Sequence, residues 1–185
     1  MKRRRLMELG FGLTAVAGAG IYGWLSFNSP QVGHFKSLDE VVEFIESVPL
    51  DAEITSSGTW TANQVFTHLS QSILYSMHGY PEHKSDLFQS TLGKLAFQLF
   101  TVKGASTHNL AEPIPGAKPL SQEGNPHQAL RLLSGTIKEL KGRDSFQPHF
   151  AYGDLSKSQY EIAHLMHINE HFSEIDVVLP PGNKK

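Results

Sequence analysis

The chain has 185 residues, ten histidines, no cysteine and a formal net charge of −2. Its length is typical of a single domain, and the absence of cysteine excludes disulfides, thiolate nucleophiles and Cys-ligated zinc or iron–sulfur sites. The slight negative charge argues against a nucleic-acid partner, because proteins that bind nucleic acid are usually basic.

Residues 1–30 have the composition of a targeting segment. Basic residues at positions 2–5 precede an uncharged run, rich in Gly and Ala, over residues 9–27, and this run approaches the ~20 residues that span a bilayer. We predict an export signal or, in preference, a retained hydrophobic helix that anchors the chain in a membrane. The paired arginines resemble a twin-arginine signal. Either form places the remaining chain on the periplasmic side of a bacterial inner membrane; a buried N-terminal helix is the alternative.

Residues 31–179 are predicted to form one helical domain, followed by a disordered tail at 180–185. Ser37 and Thr61 each open a capping box, and Ser85 and Asn125 cap two further apolar helices. An irregular, proline-marked loop is expected over residues 104–124, before the helix that Asn125 caps. The last helix is expected over residues 156–178. Since no segment shows a convincing strand pattern, the expected fold class is all-α, an antiparallel four-helix bundle with extra short helices.

The last predicted helix carries three histidines on one face. At about 100° per residue, His167 and His171 lie about 40° apart, and His164 lies about 20° from His171. Tyr160 and Glu174 fall close to the same strip. A His-x-x-x-His pair on a helix is a natural bidentate ligand for a divalent metal, and three imidazoles beside apolar residues are costly unless something binds them.

A metal site needs a third protein ligand, and His68 is the best candidate. It lies within the helix that begins after Thr61, at the edge of the apolar face, where a bundle can turn it inward. On periodicity alone, a surface or hydrogen-bonded role is the alternative for His68. The other histidines lie in loops or at helix ends and are expected to be solvated, although His149 and Tyr152 are placed to lie over the mouth of a site. These other histidines are at positions 34, 78, 83, 108, 127 and 149.

Several short motifs, in order along the chain, resemble one protein superfamily. They are Gly58-x-Trp60, His68-Leu69-x-Gln71-Ser72, Ser76-Met77-x-Gly79, Tyr152-Gly153-x-Leu155-Ser156 and His164-x-x-His167-x-x-x-His171. Over residues 35–178 they resemble the DinB-like (DinB/YfiT) superfamily, and within it the branch called domain of unknown function 1569. The resemblance implies a four-helix bundle that holds a divalent metal through His68, His167 and His171.

The chain departs from the superfamily pattern at the end of the last motif, around His171. The family often has His-His-x-Arg-Gln there, whereas this chain has Glu170, His171 and, further on, Ser173 and Glu174. The usual cationic neighbour is missing, and the carboxylate of Glu174 is expected to orient a ligand or to bind the metal weakly. This departure makes the transfer of any family activity less secure.

A three-His site with vacant coordination positions is typical of catalytic metals, and all-nitrogen ligation suits Zn, Ni, Fe or Co. By resemblance, the first hypothesis is a metal-dependent enzyme of thiol-transferase or hydrolase type with an unknown small-molecule substrate. His164, Glu174 and Tyr160 are candidates for proton transfer or ligand orientation, and no catalytic residue is assigned. The second hypothesis is a non-catalytic bundle that binds a metal, a ligand or a partner, and the third is a vestigial, empty site. A homodimer is compatible with each of them.

Overall fold

The computed structural model describes residues 35–104 and 109–178. Within these ranges the chain forms helices α1 (Leu38–Ser47), α2 (Ala62–His78), α4 (Pro126–Lys141) and α5 (Lys157–Phe172), and strands β1 (Glu53–Ser56) and β2 (Ile175–Val178). A composite helix, here α3, runs without a break through an α-helical segment (Asp86–Phe88), a π-helical segment (Gln89–Gly93) and a second α-helical segment (Lys94–Lys103). The predicted targeting segment and tail lie outside the described residues.

No helix of the described ranges is both long enough and apolar enough to cross a membrane.

The helix starts follow from local capping chemistry. The side chains of Thr61 and Ser156 form complete capping boxes with the glutamine three residues later. Asn125 caps α4 by accepting the backbone N–H of His127, and Pro126 occupies the first helical position, where its missing N–H costs nothing. The predicted starts of these helices are therefore confirmed.

The hydrophobic core lies where α4 packs against α1 and α2, and α2 also contacts α5. Eight core side chains from α2 and α4 are at most 1% exposed: Val65, Phe66, Leu69, Ile73, Leu130, Leu133, Ile137 and Leu140. Ile168 and Phe172 extend this cluster from α5. The predicted helical character is confirmed for five helices, while the finer expectation of an antiparallel four-helix bundle stays a prediction.

The expectation that the last helix reaches residue 178 is wrong, and a small two-stranded sheet accompanies the helices of this mostly helical fold. Helix α5 ends at Phe172, and Ile175–Val178 pairs antiparallel with Glu53–Ser56, with Ile54 opposite Val177. The backbone N–H of Ser57 donates to the carbonyl of Glu174 at 2.8 Å, just beyond this ladder. Ile54 is buried and Val177 packs against the core, so the strand pair buries apolar surface that a longer helix would direct elsewhere. The ladder brings the chain before α2 next to the end of α5.

Helix α3 lies against a tight turn at residues 149–153. Gly93, in its π-helical segment, is so close that a Cβ atom there would stand 2.0 Å from the carbonyl oxygen of Ala151. Gln89 donates from its side-chain amide to the carbonyl of Phe150 at 3.1 Å. The turn closes through backbone hydrogen bonds between His149 and Gly153, whose φ of +73° suits glycine. These contacts hold α3 beside the turn at residues 149–153.

Candidate metal and ligand site

The structure brings the three predicted ligands together. His68 from α2 meets His167 and His171 from α5, and one ring nitrogen of each lies within 4.8 Å of those of the other two. The Nε2 atoms of His68 and His167 are 3.1 Å apart. His68 is 3% exposed and His171 is fully buried, while His167 is half-buried. The group is therefore enclosed by protein and approached from the side of His167.

Trp60 packs against this group of imidazoles. Its ring centroid lies 4.8 Å from that of His68, and its plane is within 2° of that of His171 at a centroid distance of 6.0 Å. Trp60 follows strand β1, so the β1–β2 ladder places the indole at the end of α5. Gly58, two residues earlier, leaves room for the carboxylate of Glu174, whose Oε2 would be 2.2 Å from a Cβ atom at that position. The Gly58-x-Trp60 motif thus shapes one wall of the site.

The chemistry of these donors fits a divalent metal. A tetrahedral ion with metal–nitrogen distances of about 2.0–2.1 Å holds its ligand nitrogens about 3.4 Å apart. Nitrogens already within 4.8 Å of one another reach that spacing through modest side-chain rotations. Neutral imidazoles are ligands of intermediate softness, suited to Zn, Ni, Fe and Co. The three-His group can hold a metal ion, and its donors do not select which one.

A cavity of about 200 Å³ opens beside His68 and His167. Besides α2 and α5, three segments that are distant in sequence line it. They are α3, the loop before α4 and the turn before α5, which contribute Phe97, Phe100, Glu112, Pro113, Ile114, Pro115, His149, Phe150 and Tyr152. The part of the proline-marked loop that is described is therefore a wall of the cavity. A small molecule in this space would reach two of the three histidines.

The near-site candidates occupy different positions. His164 is 3% exposed, lines the cavity, and has its Nε2 3.1 Å from the hydroxyl of Ser76. Tyr160 is fully buried, and its hydroxyl donates to the carbonyl of Gln147 at 2.6 Å. Glu174 lies beyond the end of α5, with its carboxylate against Gly58. Of the three candidates, His164 is the one that the structure places at the cavity.

Burial keeps two cavity histidines neutral. It lowers the pKa of His164 from 6.5 to about 3. Burial, followed by the charges of His164 and His83 when they are protonated, lowers the pKa of His149 to about 3 as well. Burial and the nearby Glu170 carboxylate raise the pKa of Tyr152 to about 12. The expectation that His149 is solvated is wrong, because its ring is 9% exposed and lies under the turn.

Several cavity residues were not singled out from the sequence, among them two aromatic and two charged residues. Phe97 and Phe100 lie in an apolar helix, where aromatic residues are ordinarily core residues, and Lys84 and Glu112 are isolated charges in irregular segments. None of them carries a local signal of function. Only the packing of α3 and the loop over α5 brings them to the cavity.

The comparison with protein families finds a match that covers most of the chain. The family described as "Protein of unknown function (DUF1569)" matches residues 27–177, which is most of the chain and includes all three histidines of the candidate metal group. The chain matches no curated protein and no solved structure.

Proposed function

The chain belongs to the DUF1569 family, and from that premise we propose that His68, His167 and His171 bind a divalent metal that serves a small-molecule reaction. The observation that supports this most directly is the convergence of three imidazole nitrogens within 4.8 Å beside a cavity with aromatic walls. We further propose that the family shares the DinB-like bundle, and that residues 1–30 export or anchor the domain.

By resemblance to the DinB-like superfamily, we propose thiol transfer or hydrolysis as the reaction class. When bound, the metal would supply a Lewis acid for an oxygen or sulfur atom of the substrate. The protein's own residues would position the metal and exclude water. His68 and His167 would hold the metal at the cavity wall, and Phe97, Phe100 and Phe150 would exclude water from the space beside it. Exclusion of water strengthens electrostatic interactions with the reacting group.

A non-catalytic metal- or ligand-binding bundle is the second candidate. One observation favours it: His149 and His164, whose pKa values are lowered to about 3, are weak bases at neutral pH. An enzyme of this design would rely on the metal, and not on these imidazoles, for proton transfer.

Metal content tests both candidates. The purified full chain is expected to carry about one equivalent of divalent metal by elemental analysis, since three protein nitrogens suffice for a catalytic-type site. His167→Ala and His171→Ala should each lower the metal content at least tenfold. His78→Ala is the matched control, because this exposed histidine lies outside the site.

Two results would contradict the proposal. The first is that the wild-type chain takes up no Zn, Ni, Fe or Co. The second is that His171→Ala retains as much metal as the wild type, with an unchanged circular dichroism spectrum. Turnover of a panel of thiols and electrophiles, lost when the metal is removed, would favour the enzyme over the binding module.

A further inference from the structure

His149 is held so that one ring nitrogen is a fixed hydrogen-bond donor. Its Nδ1 accepts the backbone N–H groups of Ala151 at 3.1 Å and Tyr152 at 3.2 Å. A nitrogen that accepts carries no proton, so the neutral ring bears its hydrogen on Nε2. The ring of Tyr152 stacks on the imidazole at a centroid distance of 4.2 Å and an interplanar angle of 6°. The turn thus fixes both the tautomer and the orientation of His149.

His164 offers a hydrogen-bond acceptor where His149 offers a donor. The hydroxyl of Ser76 donates to the carbonyl of Ile73 at 2.7 Å. Its oxygen therefore accepts a hydrogen bond from Nε2 of His164 at 3.1 Å. This contact places the ring hydrogen on Nε2 and leaves a lone pair on Nδ1. Tyr160 stacks on the ring at 5.6 Å, which restricts its rotation. His164 is therefore a fixed hydrogen-bond acceptor.

Both rings line the cavity beside the three-His group. Within residues 35–104 and 109–178, neither Nε2 of His149 nor Nδ1 of His164 makes a hydrogen bond to another residue. The rings are 9% and 3% exposed, respectively. Because the other nitrogen of each ring bonds to protein, Nε2 of His149 and Nδ1 of His164 are the ring atoms left available to a molecule in the cavity, and binding it would require no reordering of these side chains.

The charges around the cavity favour an uncharged ligand. Lys84 and Glu112 line it with exposed side chains of opposite sign, and both buried imidazoles are neutral. A carboxylate offers two acceptors and no donor, so it would face the lone pair of His164 Nδ1. An amidinium offers donors alone and would face the N–H of His149.

From these contacts we propose that the cavity binds small neutral molecules that carry an acceptor and a donor on one polar group, as a primary carboxamide does, and that His149 and His164 recognise that group. The aromatic walls would take an apolar or aromatic body; a cavity of about 150 Å³ already holds benzene, and this one is about 200 Å³. As a statement about substrate, the inference rests on the proposed function, whereas binding of the ligand needs no metal.

Titration of the full chain with benzamide, followed by ligand-observed NMR, tests the inference. Benzamide should bind about fivefold more tightly than acetophenone, which has the acceptor but no donor, because one neutral hydrogen bond contributes about a factor of five. Benzoate and toluene should bind more weakly than benzamide.

Two variants separate the roles of the histidines. In His149→Asn, the side-chain oxygen can replace Nδ1 as acceptor for the turn, but the shorter side chain has no N–H at the position of Nε2; benzamide and acetophenone should each bind about fivefold more weakly. In His164→Gln, the side-chain amide can still donate to Ser76, but its oxygen does not occupy the position of Nδ1; benzamide alone should weaken. His78→Gln is the control, and amide NMR spectra verify that each variant is folded.

Three results would overturn the inference: benzoate or toluene binds as tightly as benzamide, His149→Asn leaves benzamide binding unchanged, or ¹⁵N shifts of the wild-type rings assign the proton of either histidine to Nδ1. Elemental analysis of the same samples separates this test from that of the proposed function. Loss of probe selectivity in a chain that holds metal contradicts the ligand assignment alone. Selective benzamide binding in a chain that takes up no metal contradicts the metal assignment alone.

Discussion

Burial of a histidine links its proton to the stability of the fold. His149 and His164 are buried among aromatic side chains, and desolvation penalises their charged forms. In the unfolded chain each imidazole would be solvated and would titrate near its ordinary pKa. The folded chain therefore resists protonation of these rings, and acid shifts the equilibrium towards unfolding.

The sign and size of this effect can be measured. Between pH 6.5 and about 3, the unfolded chain binds more protons than the folded chain, so the free energy of unfolding falls as the pH falls. From pH 7.5 to pH 5, His149 alone should account for a loss of roughly 2 kcal/mol. Urea unfolding in excess chelator at both pH values should show a smaller loss for His149→Asn than for the wild type, by about that amount.

His78→Gln should keep the wild-type difference, because this ring is exposed. Equal losses for the wild type and His149→Asn would show that His149 is protonated in the folded state at pH 5.

For individual residues, the sequence was informative where the spacing of histidines along one helix places them on the same face. His167 and His171 could be predicted as neighbours from their spacing on α5. His68 was a candidate from its position at the edge of an apolar face, and the family resemblance joined it to the pair. Lys84 and Phe97 could not be predicted, since their approach to α5 depends on how α3 packs. Local spacing therefore identified the helical histidine pair, but neither its third partner nor the wall of the cavity.

Among the elements, α3 depends on backbone contact with the turn at residues 149–153. Its π-helical segment brings Gly93 against the carbonyl of Ala151, where no side chain fits. π-helical segments accommodate such local irregularities within otherwise α-helical segments. Since Phe97 and Phe100 follow one and two turns later, this contact sets the position of two cavity walls.

Gly93→Ala should therefore destabilise the chain by about 1–3 kcal/mol, because the added methyl group meets backbone that cannot rotate away. Gly135→Ala is the matched control: it lies on the exposed side of α4, with no other group within 4 Å of its added Cβ atom. There the substitution should stabilise by about 0.5–1 kcal/mol through helix propensity. Urea unfolding measures both, and a stabilised Gly93→Ala would refute the close approach.

Helix starts were predictable because a capping residue and its partner are three positions apart, as in Thr61 and Gln64. Strand β2 was not, because residues 175–178 continue the apolar periodicity of α5 and have no strand signal of their own. Their partner, β1, lies more than a hundred positions earlier, as the contact between Ser57 and Glu174 shows, 117 residues apart. Pairing at that distance overrides local propensity.

For the molecule as a whole, we propose that residues 1–30, and not the fold, determine the location of the domain. If these residues act as a twin-arginine signal, Arg3→Lys combined with Arg4→Lys should leave most of the chain unexported, because the paired arginines carry the recognition. Fractionation of cells that produce the full chain measures the exported share. Lys2→Arg is the control, and unchanged export in the double variant would contradict the assignment.

The β1–β2 ladder makes completion of the three-His group a late event in biosynthesis. His68 and His167 are separated by 99 positions, so at about 5–20 residues per second the ribosome delivers the second histidine roughly 5–20 s after the first. Strand β2 follows α5 and has to leave the ribosome before it can pair with β1. Closure of such a long loop is slow compared with helix formation. Until then, a metal ion that meets the nascent chain would not find His68 assembled with His167 and His171, and we expect metal insertion to follow translation.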